Sequence, residues 1–142
     1  MILSKSCEYA IRAAVYIAYK SLQNERTGIM EVADAIGSPV HFTAKILQAM
    51  VRKQVIFSNK GPRGGFYIKN ACSLFLIDII TAIDGGKLFT TCVMGLQACS
   101  DLKPCPMHAQ IKPLKDQLLC EFSKKSVKQM VYEYEGNRYF LK

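Results

Sequence analysis

Cys92, Cys99, Cys105 and His108 fall within one short run that has neither strand alternation nor a sustained helical period. Thiolates are soft ligands, and three of them within reach of one imidazole suit zinc or an iron–sulfur cluster. The same four residues would complete a tetrahedral zinc shell, which would make the run a staple. Without metal, neighbouring thiols form a thiol–disulfide redox switch. A Cys–His pair also serves as nucleophile and base in enzymes. No oxyanion-forming turn, second base or phosphate loop accompanies it here, so the expectation is a protein that is not an enzyme. Gly95, Pro104 and Pro106 interrupt regular structure, as in a loop wrapped around a centre.

The elements around this run must position it. The chain has 142 residues, a net charge of +8 and 50% hydrophobic residues, enough for one compact domain with an arm. The charge favours an acidic partner such as nucleic acid. Lys5, Glu8 and Arg12 interrupt the start before any signal-like apolar run, and no stretch approaches membrane-spanning length. The expectation is a cytoplasmic protein with no membrane partner, in which six cysteines indicate metal or redox chemistry rather than a disulfide scaffold.

Ser4 to Leu22 reads as a helix, capped by Ser4, with Ile11, Ala14, Val15, Ala18 and Leu22 on its core face. Cys7 reads as a small buried hydrophobe, and Glu8 with Arg12 as a surface ion pair. A polar turn leads to a short helix, Ile29 to Ile36, which Gly37 stops. Ser38-Pro39 opens a second helix with Phe42, Ile46, Leu47, Met50 and Val51 on its apolar face. Val55-Ile56-Phe57 and Phe66-Tyr67-Ile68 then read as strands flanking a glycine-rich turn. Helix, turn, helix and hairpin follow one another in the order of a winged helix. No acidic residue lies between Asp34 and Asp78, an acid-free basic block suited to phosphates. In that arrangement Val40, His41, Thr43 and Lys45 face the major groove, while Lys60 and Arg63 at the wing tip face the minor groove or the flanking backbone.

Leu74 to Asp84 is apolar on nearly every side, which predicts a helix buried between layers, capped by Ser73 and ended by Gly85-Gly86. Cys72 just before it reads as structural. From Pro106 to Phe122, Ile111, Leu114, Leu118, Leu119 and Phe122 trace a helix seam that predicts pairing with a second copy. Cys120 beside the seam reads as packing, and Ser126 to Tyr134 as a last short helix. The fold expected is mainly α with a small β-wing. It comprises a winged helix-turn-helix over 1–72, a linker helix over 73–91, a cysteine loop over 92–108, and a dimerisation helix with tail over 109–142.

Three motifs together resemble the Rrf2-type bacterial transcription regulators. One is Ile46-Leu47-Gln48 leading to the wing Lys60-Gly61-Pro62-Arg63-Gly64-Gly65-Phe66. Another is Ile79-Ile80-Thr81-Ala82-Ile83-Asp84-Gly85. The third is Cys92, Cys99 and Cys105 followed by Pro106-Met107-His108. The resemblance implies a homodimer with two heads that bind double-stranded operator DNA, and crossed long helices. It also implies that Cys92, Cys99 and Cys105 hold an iron–sulfur cluster, as in cluster-bearing members. The fourth ligand varies among relatives. It corresponds here to His108, or to Glu8 of the partner subunit, whereas Arg12 replaces a ligating histidine of some relatives and cannot serve. Six residues separate Cys92 from Cys99, one more than in the best-known members, so [2Fe-2S] and [4Fe-4S] both remain open.

Overall fold

A computed structural model describes residues 2–142. Its first helix, α1 (Lys5–Leu22), is the axis of the fold. Ser4 caps it through a hydroxyl that accepts the Cys7 amide at 3.1 Å. Cys7, Ala10, Ala13, Ala14, Val15, Ile17 and Ala18 are buried, and these mostly small side chains let other helices approach closely. Helix α2 (Ile29–Ile36) buries Val32, Ala33 and Ile36. It ends at Gly37, whose left-handed φ of +66° suits glycine, and the Ser38 amide closes the turn on the Ala33 carbonyl at 3.0 Å. Helix α3 (Val40–Arg52) follows after Pro39 and buries Thr43, Ile46, Leu47 and Met50. Its Phe42 meets Tyr9 of α1 edge-on, ring centroids 5.6 Å apart.

The wing comprises β1 (Phe57–Asn59) antiparallel to β2 (Gly65–Tyr67), with Phe57 opposite Tyr67. Both strands lie closer to the turn than expected. Val55 and Ile56 are buried in the core, and their amides fold back onto the Met50 carbonyl at 2.9 and 3.5 Å. Ile68 is likewise buried, and its amide donates to the Ser21 hydroxyl at 3.0 Å. Thr27 forms an isolated bridge to Phe66, donating at 3.3 Å and accepting at 2.8 Å, so the segment before α2 lies along the open edge of β2.

Helix α4 (Leu76–Asp84) starts two residues later than predicted. The Asp78 carboxylate accepts the Phe75 amide at 2.8 Å, whereas the Ser73 hydroxyl turns back to the Asn70 carbonyl. Leu74 and Phe75 stay extended because this segment pairs with the chain after the sixth helix: the Leu76 amide donates to the Lys125 carbonyl and the Val127 amide to the Leu74 carbonyl, both at 2.8 Å. The helix is not enclosed on all sides, since only Ile79 and Ile80 are buried and Asp78 and Thr81 are exposed. At its far end the Asp84 carboxylate accepts the Ser4 amide at 2.8 Å and the Ser4 hydroxyl, pinning α4 to the start of α1.

A single turn, α5 (Lys87–Thr90), precedes the cysteine loop. Helix α6 (His108–Lys124) starts beyond the expected Pro106 and carries Pro113 inside it. Helix α7 (Val127–Glu135) is opened by a reciprocal Ser126–Gln129 capping box and packs on α1. The tail docks: Leu141 is buried and the Tyr139 hydroxyl donates to the Met130 carbonyl at 2.6 Å. The expected Glu8–Arg12 pair does not form. Glu8 pairs with Lys5 at 3.4 Å, while Arg12 stacks on the Tyr9 ring at 4.4 Å and donates to the Ile36 and Leu141 carbonyls. Among the described residues no helix is long and apolar enough to cross a membrane.

Candidate functional site: a reading face and a cysteine loop

The start of α3 presents Val40, His41 and Lys45 outward, with Val40 44% exposed. Thr43 does not join them. It is 1% exposed, and its hydroxyl donates to the Pro39 carbonyl at 2.9 Å, so its expected place in the groove is corrected to a structural one. A one-residue offset on a helix turns a side chain by about 100°, which carries Thr43 onto the core face beside Ile46 and Leu47. At the wing tip Lys60 and Arg63 are exposed. Gly64 keeps the turn tight, because a Cβ there would lie 2.3 Å from the Asn59 carbonyl oxygen.

Two more cations flank the same wing, Lys69 from the basic block and Arg26 from outside it. The Arg26 guanidinium stacks on Tyr67, 3.6 Å from the ring centroid, and the Lys69 ammonium lies 4.1 Å from that of Phe57. Arg26 reaches the wing only through the Thr27–Phe66 bridge, a long-range pairing with no local signature. A third cation, Lys142, lies against Gly37 in the turn between α2 and α3.

The cysteine loop leaves α5 with the Cys99 amide donating to the Thr90 carbonyl at 3.2 Å and the Lys115 ammonium to that of Thr91. Cys92 is buried. The backbone amides of Met94 and Leu96, the Cys105 thiol and the Lys115 charge lower the Cys92 pKa, against an opposing effect of desolvation. Cys99 Sγ lies 3.4 Å from His108 Nδ1, and His108 Nε2 lies 2.8 Å from the Asp101 carboxylate. The loop therefore pairs Cys99 with His108 and keeps Cys105 near enough to Cys92 to lower its pKa. Among the described residues, no three His, Cys, Asp or Glu side chains converge on a point that could hold a metal ion. The donor chemistry nevertheless fits a thiolate-bound centre: one thiol has its pKa lowered by neighbouring amides and one imidazole is held between two partners. Glu8 lies on α1 in its pair with Lys5.

Residues 3–133 match the family model Rrf2, described as an iron-dependent transcriptional regulator. The chain belongs to the Rrf2 family. An HTH-type transcriptional regulator of Aquifex aeolicus (strain VF5) is 28% identical over 134 residues, covering 92% of each chain. Among solved structures, T. potens IscR superposes with a TM-score of 0.75 at 12% identity, over 96% of this chain and 90% of its own. CymR (YrzC), the global cysteine regulator of B. subtilis, gives 0.73 at 13% identity, over 92% and 95%. The CymR structure from Staphylococcus aureus gives 0.70 at 16%, over 90% and 96%. The Rrf2 winged-helix fold is thus shared along nearly the whole chain. The Rrf2 proteins are DNA-binding transcriptional regulators rather than enzymes.

Of the remaining Rrf2-chain residues singled out from sequence, the α6 seam buries none. Ile111, Leu118 and Phe122 are half-buried, while Leu114 is 57% exposed and Leu119 is exposed beside it. Phe122 meets Phe89 of α5, ring centroids 6.3 Å apart. Cys120 is exposed rather than packed, and Cys72 is exposed near Lys128 rather than in the structure's interior. Cys7 is buried as expected, with desolvation and then the Asp84 carboxylate raising its pKa to about 12.

Proposed function

We propose that this Rrf2 regulator is a homodimer whose affinity for operator DNA is set by an iron–sulfur cluster on Cys92, Cys99 and Cys105, with His108 as the fourth ligand. The observation that carries this reading is the Cys99–His108 pair, 3.4 Å apart, in the same loop as Cys92, whose pKa the Met94 and Leu96 amides, the Cys105 thiol and the Lys115 charge lower. Amides directed at a sulfur favour the thiolate, the form that binds iron. His108 is preferred to Glu8 because its Nδ1 already faces a cluster thiol, whereas Glu8 is engaged with Lys5.

Bound there, a cluster would supply one-electron chemistry and sensitivity to oxidants, nitric oxide and iron supply. The protein's own part is mechanical. Holding Cys92 and Cys105 together with Cys99 and His108 fixes the loop between α5 and α6. The exposed Leu114 and Leu119 on α6 meet their counterparts in a second copy, so ordering the loop sets the spacing of the two heads. Half-sites about 34 Å apart are then matched or missed. On each head Val40, His41 and Lys45 enter the major groove, and Lys60, Arg63 and Arg26 meet the backbone beside the wing.

The test is anaerobic purification from iron-replete cells, with visible absorption, iron and sulfide measured per chain, followed by duplex binding of loaded and cluster-free protein. Brown protein with equimolar iron and sulfide and a changed affinity is expected. Colourless protein, zinc without sulfide, or equal binding of both forms overturns the sensing role. The Cys105 thiol, near enough to lower the Cys92 pKa, favours a second reading, a metal-free dithiol switch, which would show as the loss of two hydrogens by mass under mild oxidant.

A further inference from the structure

His108 sits between two partners on opposite sides of its ring. Nε2 lies 2.8 Å from Asp101 Oδ1, and Nδ1 lies 3.4 Å from Cys99 Sγ. The histidine side chain is only 11% exposed, while the aspartate is 78% exposed. An ionised carboxylate only accepts hydrogen bonds, so in the neutral imidazole, the form that ligates, Nε2 carries the ring proton and Nδ1 keeps its lone pair. That lone pair faces the Cys99 sulfur. Two ligands on one tetrahedral ion, at about 2.3 Å for sulfur and about 2.0–2.1 Å for nitrogen, stand about 3.5 Å apart. The observed 3.4 Å between Sγ and Nδ1 is that spacing.

The ring is also held from below. His108 is the first residue of α6, and its amide donates to the Cys105 carbonyl at 3.0 Å. The turn carrying Asp101 is closed by the Leu102 amide on the Ser100 hydroxyl at 3.2 Å. Lys112, one helical turn beyond His108, is paired with Asp116 at 2.9 Å, which raises its pKa, and Asp101 and Cys99 add to that rise.

We infer that Asp101 is a positioning residue for the centre: its carboxylate accepts a hydrogen bond from Nε2–H and so presents Nδ1, not Nε2, as the donor atom beside Cys99. The inference rests on the proposed cluster. A carboxylate behind a ligating histidine fixes its tautomer and raises its basicity, and removing such a partner typically weakens metal retention 10–100-fold. Asp101 touches no metal in this scheme and acts only through the imidazole.

The test uses full-length protein reconstituted anaerobically with ferrous iron and sulfide. His41 and His108 are the two histidines of the chain, so 15N-histidine labelling gives an unambiguous hyperfine signature in the reduced cluster. Coupling to one 15N nucleus is expected in the wild type and absent in His108→Ala. Iron transfer to a ferrous chelator should be about 10–100-fold faster in Asp101→Ala, with Asp101→Asn less affected because its amide still accepts. Within the His108→Ala background, adding Asp101→Ala should change that rate less than about twofold, because a positioning residue has nothing left to position. A cluster that assembles without 15N coupling overturns the inference and leaves the cluster standing. So does an equal acceleration by Asp101→Ala with or without His108. Failure to assemble any sulfide-bearing centre overturns both.

Discussion

Thr43→Val separates building a reading helix from reading with it. Thr43 is 1% exposed, and its hydroxyl donates to the Pro39 carbonyl at 2.9 Å. That carbonyl also accepts the Thr43 amide at 2.9 Å, so removing the hydroxyl strands no acceptor. Valine keeps the shape, and the loss is one intramolecular hydrogen bond, about 0.5–1.5 kcal/mol of stability. At about 2–4 °C per kcal/mol for a chain of this size, the melting temperature should fall by about 1–6 °C. Affinity for a duplex selected by the wild type should stay within about twofold, because a group sealed in the core offers nothing to a base. Thermal melting by circular dichroism and anisotropy titration, both at one protein concentration, read the two quantities. A tenfold loss of affinity, about 1.4 kcal/mol, with an unchanged melting temperature would refute the placement of Thr43 and return it to the groove.

Gly64→Ala places a Cβ 2.3 Å from the Asn59 carbonyl oxygen. The wing must open, and affinity should fall by about tenfold or more with the melt little changed; wild-type binding would mean the wing tip does not touch DNA. Arg63→Ala and Arg26→Ala should each flatten the salt dependence of binding by about 0.9 in log–log slope, and an unchanged slope removes that arginine from the phosphate contacts. Cys99→Ala should lose the cluster yet stay a dimer by sedimentation, since the α6 seam is untouched; collapse to monomer would make the loop part of the interface. Burial and the Asp84 carboxylate raise the Cys7 pKa to about 12, so the thiolate is scarce near neutrality and appears only as pH approaches that value. Peptide mapping after brief alkylation at about pH 8 should find the exposed Cys72 and Cys120 labelled and Cys7 not; equal labelling would mean the start of α1 opens freely.

The sequence disclosed most where local chemistry decides structure. The Ser4 cap, the Gly37 stop and the apolar spacing through α3 gave three helices and their turn. It disclosed least where distant segments meet. The wing strands lie closer to the turn than predicted because Val55 and Ile56 are drawn into the core, and Arg26 joins the wing through Thr27, which sits far from it in sequence. The start of α4 is hidden for the same reason: Leu74 and Phe75 look helical alone, but this segment pairs with Lys125 to Val127. Within the candidate site the ligand-type residues were readable from their identity. Their pairing was not, because Asp101 looks like any loop carboxylate until His108 is seen turned toward it.

The short ladder between Leu74–Leu76 and Lys125–Val127 has a mechanical consequence. It clamps one end of α6, a helix of 17 residues with no buried side chain, to the body of the protein. The cysteine end is then the tip of a lever about 25 Å long. A tilt of about 5° at the clamp sweeps that tip through about 2 Å, and the converse also holds. Small rearrangements among the side chains at the tip are geared down into a few degrees at the fulcrum, where the ladder ties the helix to the start of α4.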